Sequence, residues 1–237
     1  MSLGKDAVEI QEKIGYNFAD LSYLEIAMTH SSYTNEMRSR GIKATSNKRL
    51  EFLGDAVLEI VISECLYSNY SRYREGALTK MRQRLVCEKT LAMVAESINL
   101  GEYLNLGNGE EASNCRKRPK ILADALEALI AAVYLDSLSK GSEEYKNVVL
   151  SLFEEEINRS SVLSIDYKTR LQQLTEQDGT AMLEYKVIST EGPEHNKLFT
   201  VVALVNNNEV GRGTANTKKS AEMQAAKMAL ELFGVIL

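Results

Sequence analysis

Two stretches of this chain are apolar almost all the way round a helix, yet each carries acids at helical spacing. In RLEFLGDAVLEIVISECLY (49–67) the pattern is that of a buried helix, so its charged exceptions need a reason. Glu51 and Asp55 stand four residues apart, which at about 100° per residue places them on one face, one turn from each other. In ILADALEALIAAVYLD (121–136) Asp124 and Glu127 are the only charges between Ile121 and Leu135, and a spacing of three again selects one face. Burying a carboxylate without a cation or a proton costs on the order of several kcal/mol. The second helix is expected to offer no cationic partner of its own, so a bound cation becomes the economical explanation. Two blander readings stay open: Glu51 complements the positive end of its helix while Asp55 lies at a solvated edge, or each acid finds an Arg elsewhere in the fold.

The rest of the composition narrows what such a cation could be. There are only two histidines, His30 and His195, far apart in sequence, which leaves little material for a histidine metal site or a Ser/His/Asp triad. Cys65, Cys87 and Cys115 are odd in number and never in a CxxC spacing, so neither a disulfide framework nor a zinc site is expected. Oxygen ligands remain, and four carboxylates suit a hard ion such as Mg²⁺, with Mn²⁺ as a substitute; two such ions would suit phosphodiester hydrolysis. No apolar run reaches the roughly 18 to 20 residues of a membrane span, and the start, MSLGKDAVEIQEKIG, has no apolar signal core. A cytoplasmic protein without a membrane partner is expected. The net charge of −5 and pI near 5.3 disfavour nucleic-acid binding by bulk charge, leaving local patches.

Along the 237 residues the periodicity changes once. Up to about residue 158 it is helical, with helices expected near 5–14, 20–29, 47–69, 74–85, 88–98, 119–137 and 141–158, and a long loop at GEYLNLGNGEEASNCRKRP. The division expected is a domain over 5–158, a serine-rich linker over 159–165 and a second domain over 166–235. The second reads as a helix near 167–177, strands MLEYKVIST, KLFTVVALVNN and EVGRGTA, and a closing helix from Lys218 whose small face, Ala221, Ala225 and Ala229, could lie flat on a sheet. The fold class is therefore an all-α domain followed by a small α+β unit of order α-β-β-β-α.

NKRLEFLGDAVLE resembles the signature of the ribonuclease III family, and ILADALEALIAAVYLD resembles that family's second acidic helix. THSSYTNE, REGALTKMR and LGNGEEASNCRKRP are similar to further family segments in the same order, so the resemblance covers most of the first domain. It implies a helical endonuclease domain and Mg²⁺-dependent hydrolysis of both strands of double-stranded RNA by a homodimer, leaving 5′-phosphate and 3′-hydroxyl ends, as in the processing of structured RNA precursors. By the resemblance, Glu51, Asp124 and Glu127 match metal ligands, and Asp55 and Glu127 the residues most essential to catalysis. Phe52 matches an aromatic that plugs into the partner subunit, with a core Phe as the alternative. Glu75 matches an acid beside the cleavage site, with a solvated helix start as the alternative. One position departs from the pattern: where the family's signature has an acid, this chain has Lys48, whose charge about one turn from Glu51 could pair with it and oppose metal binding.

The second domain, from DYKTRLQQLTE to KKSAEMQAAKMAL, resembles a double-stranded RNA-binding domain, which reads duplexes by shape. The resemblance assigns minor-groove contacts to Thr169, Gln172, Gln173 and Glu176, a second minor groove to the GPEHNK loop with His195 near its tip, and phosphate to Lys218 and Lys219 at a helix start. From Asp166 onward there are eight Lys or Arg against nine Asp or Glu, so affinity should be modest and steeply weakened by salt. Two competing functions are a binding protein of this fold without catalysis, for which Lys48 speaks, and a different metal phosphohydrolase acting on small phosphates, which would need no duplex clamp.

Overall fold

The structure is a computed structural model that describes residues 3–71, 73–163, 167–177, 182–193 and 197–235. It forms two compact units, Met1–Leu163 and Ser164–Leu237.

In the first unit the described residues form helices α1 (Leu3–Ile14), α2 (Leu21–Ala27), α3 (Ser31–Ser39), α4 (Lys48–Asn69), α5 (Glu75–Leu85), α6 (Glu88–Ser97), α7 (Asn108–Ala112), α8 (Pro119–Ser139) and α9 (Glu144–Leu163). The core is organised round α8: Pro119 opens it at a position where its missing N–H costs nothing, and from Ile121 to Val133 every residue except Glu127 is buried. α4 lies along it, burying Leu50, Val57, Leu58, Val61, Ile62 and Leu66. Close approach of these two helices depends on Gly54, which sits on the backbone of Glu127 with no room for a Cβ. At the far end of α8 the wholly buried Asp136 accepts from the Tyr16 hydroxyl at 2.7 Å and from the backbone N–H groups of Ala19 and Asp20 at 3.0 and 2.8 Å, tying the α1–α2 connection to the core.

Three expectations need correcting. Residues 31–39 are helical, although SSYTNEMRS has little apolar periodicity; His30 caps the helix by accepting from the Ser32 N–H, and the side chain of Glu36 is tied to Asn108. The expected long loop contains α7 and two short 3₁₀ turns, Leu100–Tyr103 and Cys115–Lys117, and is fastened by Gly107 N–H to Ser32 Oγ at 2.9 Å and by Arg116 Nη1 to the Gly101 carbonyl at 2.7 Å. Finally, α9 runs on to Leu163, so the part of the expected linker from 159 to 163 is helical. Serine is only mildly unfavourable inside a helix, and Arg159 pairs back to Glu156 at 2.7 Å, supporting the last turns.

The second unit has the order α10 (Tyr167–Gln177), β1 (Leu183–Glu191), β2 (Leu198–Val205), β3 (Asn208–Ala215) and α11 (Lys218–Leu232), with the strands antiparallel in the order β1-β2-β3. The β2–β3 turn is made by Asn206 and Asn207, both at positive φ (51° and 66°), which suits a two-residue hairpin. Gly211 and Gly213 let α11 lie directly on β3: a Cβ at either would collide with the carbonyls of Ala225 or Ala221. The buried Ala221, Ala225 and Ala229 form the matching flat face.

Candidate metal centre and nucleic-acid interface

The packing of α4 on α8 brings together three of the four acids singled out from the sequence. Glu51, Asp124 and Glu127 each present a carboxylate oxygen, and these oxygens lie within 4.8 Å of one another. Asp124 is buried, whereas Glu51 and Glu127 are half-buried. Asp55, one turn further along α4, is exposed and stands outside this closest group, but its charge is felt at Glu127. There the carboxyl is pushed up to about 7, first by burial and then by the negative charges of Asp55, Asp124 and Glu51. A site that disfavours its own ionised carboxylate is one that a cation would relieve. Its donor set consists of carboxylate oxygens, without thiolate or imidazole, and fits a hard divalent ion such as Mg²⁺ or Mn²⁺.

Two lysines modify this picture. Lys120 Nζ reaches Asp124 Oδ1 at 3.2 Å from one turn earlier on α8, so the expectation that the helix offers no cation is wrong. The i,i+4 spacing is present in the sequence, with Lys120 standing just before the apolar run begins at Ile121. Lys48 Nζ lies 2.6 Å from Glu51 Oε2, as its spacing allowed, and also 2.8 Å from Asp124 Oδ2. Burial lowers the Lys48 pKa, but the hydrogen bonds to Asp124 and Glu51 outweigh it and hold the group above its ordinary value. The reading in which the acids find basic partners elsewhere is thus realised in part, with lysines in place of arginines, for Glu51 and Asp124. His30 is a further neighbour: burial lowers its pKa, and it feels the charge of Glu110 first and then those of Lys48, Asp124 and Glu51, while its Nδ1 is engaged with Ser32.

Phe52 is 82% exposed on α4, which removes the core reading. With Ile60 and Tyr67, also exposed, it falls within about 80° of arc on one side of the helix. Glu75 stands at the first position of α5, exposed, and accepts from the Thr79 hydroxyl at 3.0 Å.

In the second unit Gln172, Gln173 and Glu176 are exposed on α10, with Gln172 Nε2 donating to Glu176 Oε1 at 2.8 Å. Thr169 belongs to the same helix. Lys218 and Lys219 are exposed in the first turn of α11, where the Thr217 hydroxyl caps the helix by accepting from Ser220 N–H at 3.1 Å. Lys218 Nζ also lies 5.8 Å from the centroid of the Phe199 ring. His195 lies outside the described residues. Among those residues no helix is long and apolar enough to cross a membrane.

Comparison with known proteins agrees with this architecture. A family profile described as Ribonuclease-III-like matches residues 20–156, and one described as Double-stranded RNA binding motif matches residues 167–232. The chain is 41% identical over 223 residues to "Ribonuclease 3" of Listeria monocytogenes serotype 4a, covering 94% of this chain and 95% of that one. It is 43% identical over 229 residues to "Ribonuclease 3" of Caldanaerobacter subterraneus, covering 96% and 98%. Among solved structures it is similar to the nuclease domain of the ribonuclease III of Campylobacter jejuni, with 38% identity, a TM-score of 0.56, and coverage of 64% of this chain and 96% of that one. A second structure of that domain, at 39% identity and a TM-score of 0.55 and covering 62% and 95%, is described as showing flexibility in a region involved in dimer formation. The chain belongs to the ribonuclease III family, as a double-stranded-RNA-specific endoribonuclease with a helical nuclease domain followed by a double-stranded-RNA-binding domain.

Proposed function

We propose that the chain hydrolyses phosphodiester bonds of double-stranded RNA with Mg²⁺ held by Glu51, Asp124 and Glu127, releasing 5′-phosphate and 3′-hydroxyl ends in the processing of structured RNA precursors. The observation that carries this reading is the convergence of three carboxylate oxygens within 4.8 Å, from two helices locked together at Gly54. Bound there, Mg²⁺, or Mn²⁺ in its place, most simply as a pair of ions, would supply an activated water and charge stabilisation at the leaving oxygen. Glu51 and Asp124 anchor the site from opposite helices. Glu127 and Asp55 serve as the catalytic pair, orienting water and substrate against the cluster, with Glu75 on the substrate side. No side chain need form a covalent intermediate.

In the second unit, Gln172, Gln173 and Glu176, with Thr169 of the same helix, serve as the minor-groove face. Lys218 and Lys219 at the α11 N-terminus take phosphate, with His195 assigned to the second groove. The exposed Phe52, Ile60 and Tyr67 support a homodimer formed through α4, with Phe52 as the plug. Three free cysteines fit the cytoplasmic setting of such processing. Incubating the protein with a long RNA duplex, with single-stranded RNA and DNA duplex as controls, with Mg²⁺ or with chelator, tests the reading. Cutting of the RNA duplex alone, only with metal, and fragments that accept 5′-end-labelling only after phosphatase treatment, as 5′-phosphate ends require, are expected. Metal-independent cutting, or none, would overturn it.

A further inference from the structure

We propose that Lys48 is a built-in competitor of the metal: its ammonium occupies the space between Glu51 and Asp124 and must swing out before a divalent ion can bind both. The inference rests on reading the acidic group as a metal centre. At 2.6 Å from Glu51 Oε2 and 2.8 Å from Asp124 Oδ2, Nζ bridges the two helices through oxygens of two residues of the convergent group. A Mg²⁺ ion needs its oxygens at about 2.0 to 2.1 Å, so an ion bridging this pair would lie where the ammonium lies. Two cations cannot share that gap, because contact places like charges together with no intervening ligand.

Lys120 does not face the same conflict. It meets the other oxygen of Asp124, at 3.2 Å, with its side chain 68% exposed, and can remain nearby when the far side of the carboxylate is coordinated. Lys48 stands in the first turn of α4, its side chain 44% exposed on a flexible four-carbon stem, so a path to solvent exists without moving the backbone. While it is in place it neutralises the acids and holds them facing each other across α4 and α8. The site is thereby kept assembled without metal, and every binding event must displace one resident charge.

This makes two measurable demands on the chain with both of its units present. Titration calorimetry with Mn²⁺ should give Lys48→Gln an affinity higher than wild type by about ten-fold, with Lys120→Gln changing it less. Thermal melts should show Lys48→Gln destabilised in chelator, because the bridge is lost, and equal to wild type at saturating Mn²⁺, because the lysine is then outside the site in either case. Unchanged or weaker Mn²⁺ binding by Lys48→Gln, or a melting penalty that persists at saturation, would overturn the proposal by showing that Lys48 stays in place beside the metal. Failure of every protein, wild type included, to bind Mn²⁺ would remove the metal-centre reading beneath it.

Discussion

Gly54 of α4 rests on the backbone carbonyl of Glu127 in α8 so closely that any side chain at position 54 would collide with it. This contact sets the distance between the helices at the level of the acids. Glu51 lies one turn before the glycine and Asp124 one turn before Glu127, so the spacing of the carboxylates follows from the closeness of the backbones. Gly54→Ala should therefore force α4 and α8 apart. We expect a loss of about 1 to 3 kcal/mol in stability from overpacking. Divalent-metal affinity should fall with it, which melts and calorimetry on one preparation can read. Loss of stability with unchanged metal affinity would separate helix spacing from the site.

Glu127 gives the site a pH signature. Its carboxyl is raised from an ordinary 4.5 to about 7, burial being the main cause and the neighbouring acids the next. Between those values the folded protein keeps a proton that the unfolded chain has already released. Stability from this group is therefore present at low pH, declines as pH rises from about 5 to about 7, and levels off above. Discounted for the partial exposure of Glu127, the effect is about 1 kcal/mol, or roughly 2 to 4 °C. In chelator, the melting temperature of wild type minus that of Glu127→Gln should fall across this window, and saturating Mg²⁺ should remove the decline. A difference independent of pH would mean that Glu127 is ionised throughout.

The RNA-binding unit has no excess of positive charge, so single cations matter. Replacing Lys218 and Lys219 together by Ala should weaken binding to all duplex sequences alike and reduce the slope of log affinity against log salt by about 1 to 2. Binding isotherms at several salt concentrations on two unrelated duplexes check this. A loss confined to one sequence would show base contacts in place of phosphate contacts.

What the sequence made legible follows the physics of each feature. α4 and α8 are long and apolar, and their expected spans, 47–69 and 119–137, differ from the observed Lys48–Asn69 and Pro119–Ser139 by two residues or fewer at either end. The strands were readable from their β-branched and aromatic runs between turn residues, although alternation is broken in β2, where Val201, Val202 and Ala203 are buried in succession. α3 was not, because SSYTNEMRS has little apolar face and depends on contacts such as Glu36 with Asn108, far away in sequence. The Lys48 pair with Glu51 was legible from i,i+3 spacing, whereas its reach to Asp124, 76 residues on, exists only through the packing at Gly54. Lys120 is the opposite case, a pairing with Asp124 written in local i,i+4 spacing at the edge of the apolar run.

In the function proposed above, the carboxylates between α4 and α8 perform metal-dependent cleavage while the second unit grips the duplex. The most direct test compares wild type with Glu127→Gln in Mg²⁺, measuring cleavage of an RNA duplex and binding to the same duplex on one preparation. The variant keeps the shape of the side chain and removes one carboxylate from the convergent group. Cleavage should drop by at least about 100-fold, with duplex affinity unchanged within about two-fold. Cutting at the wild-type rate by Glu127→Gln would show that this carboxylate has no part in cleavage and would overturn the proposed function.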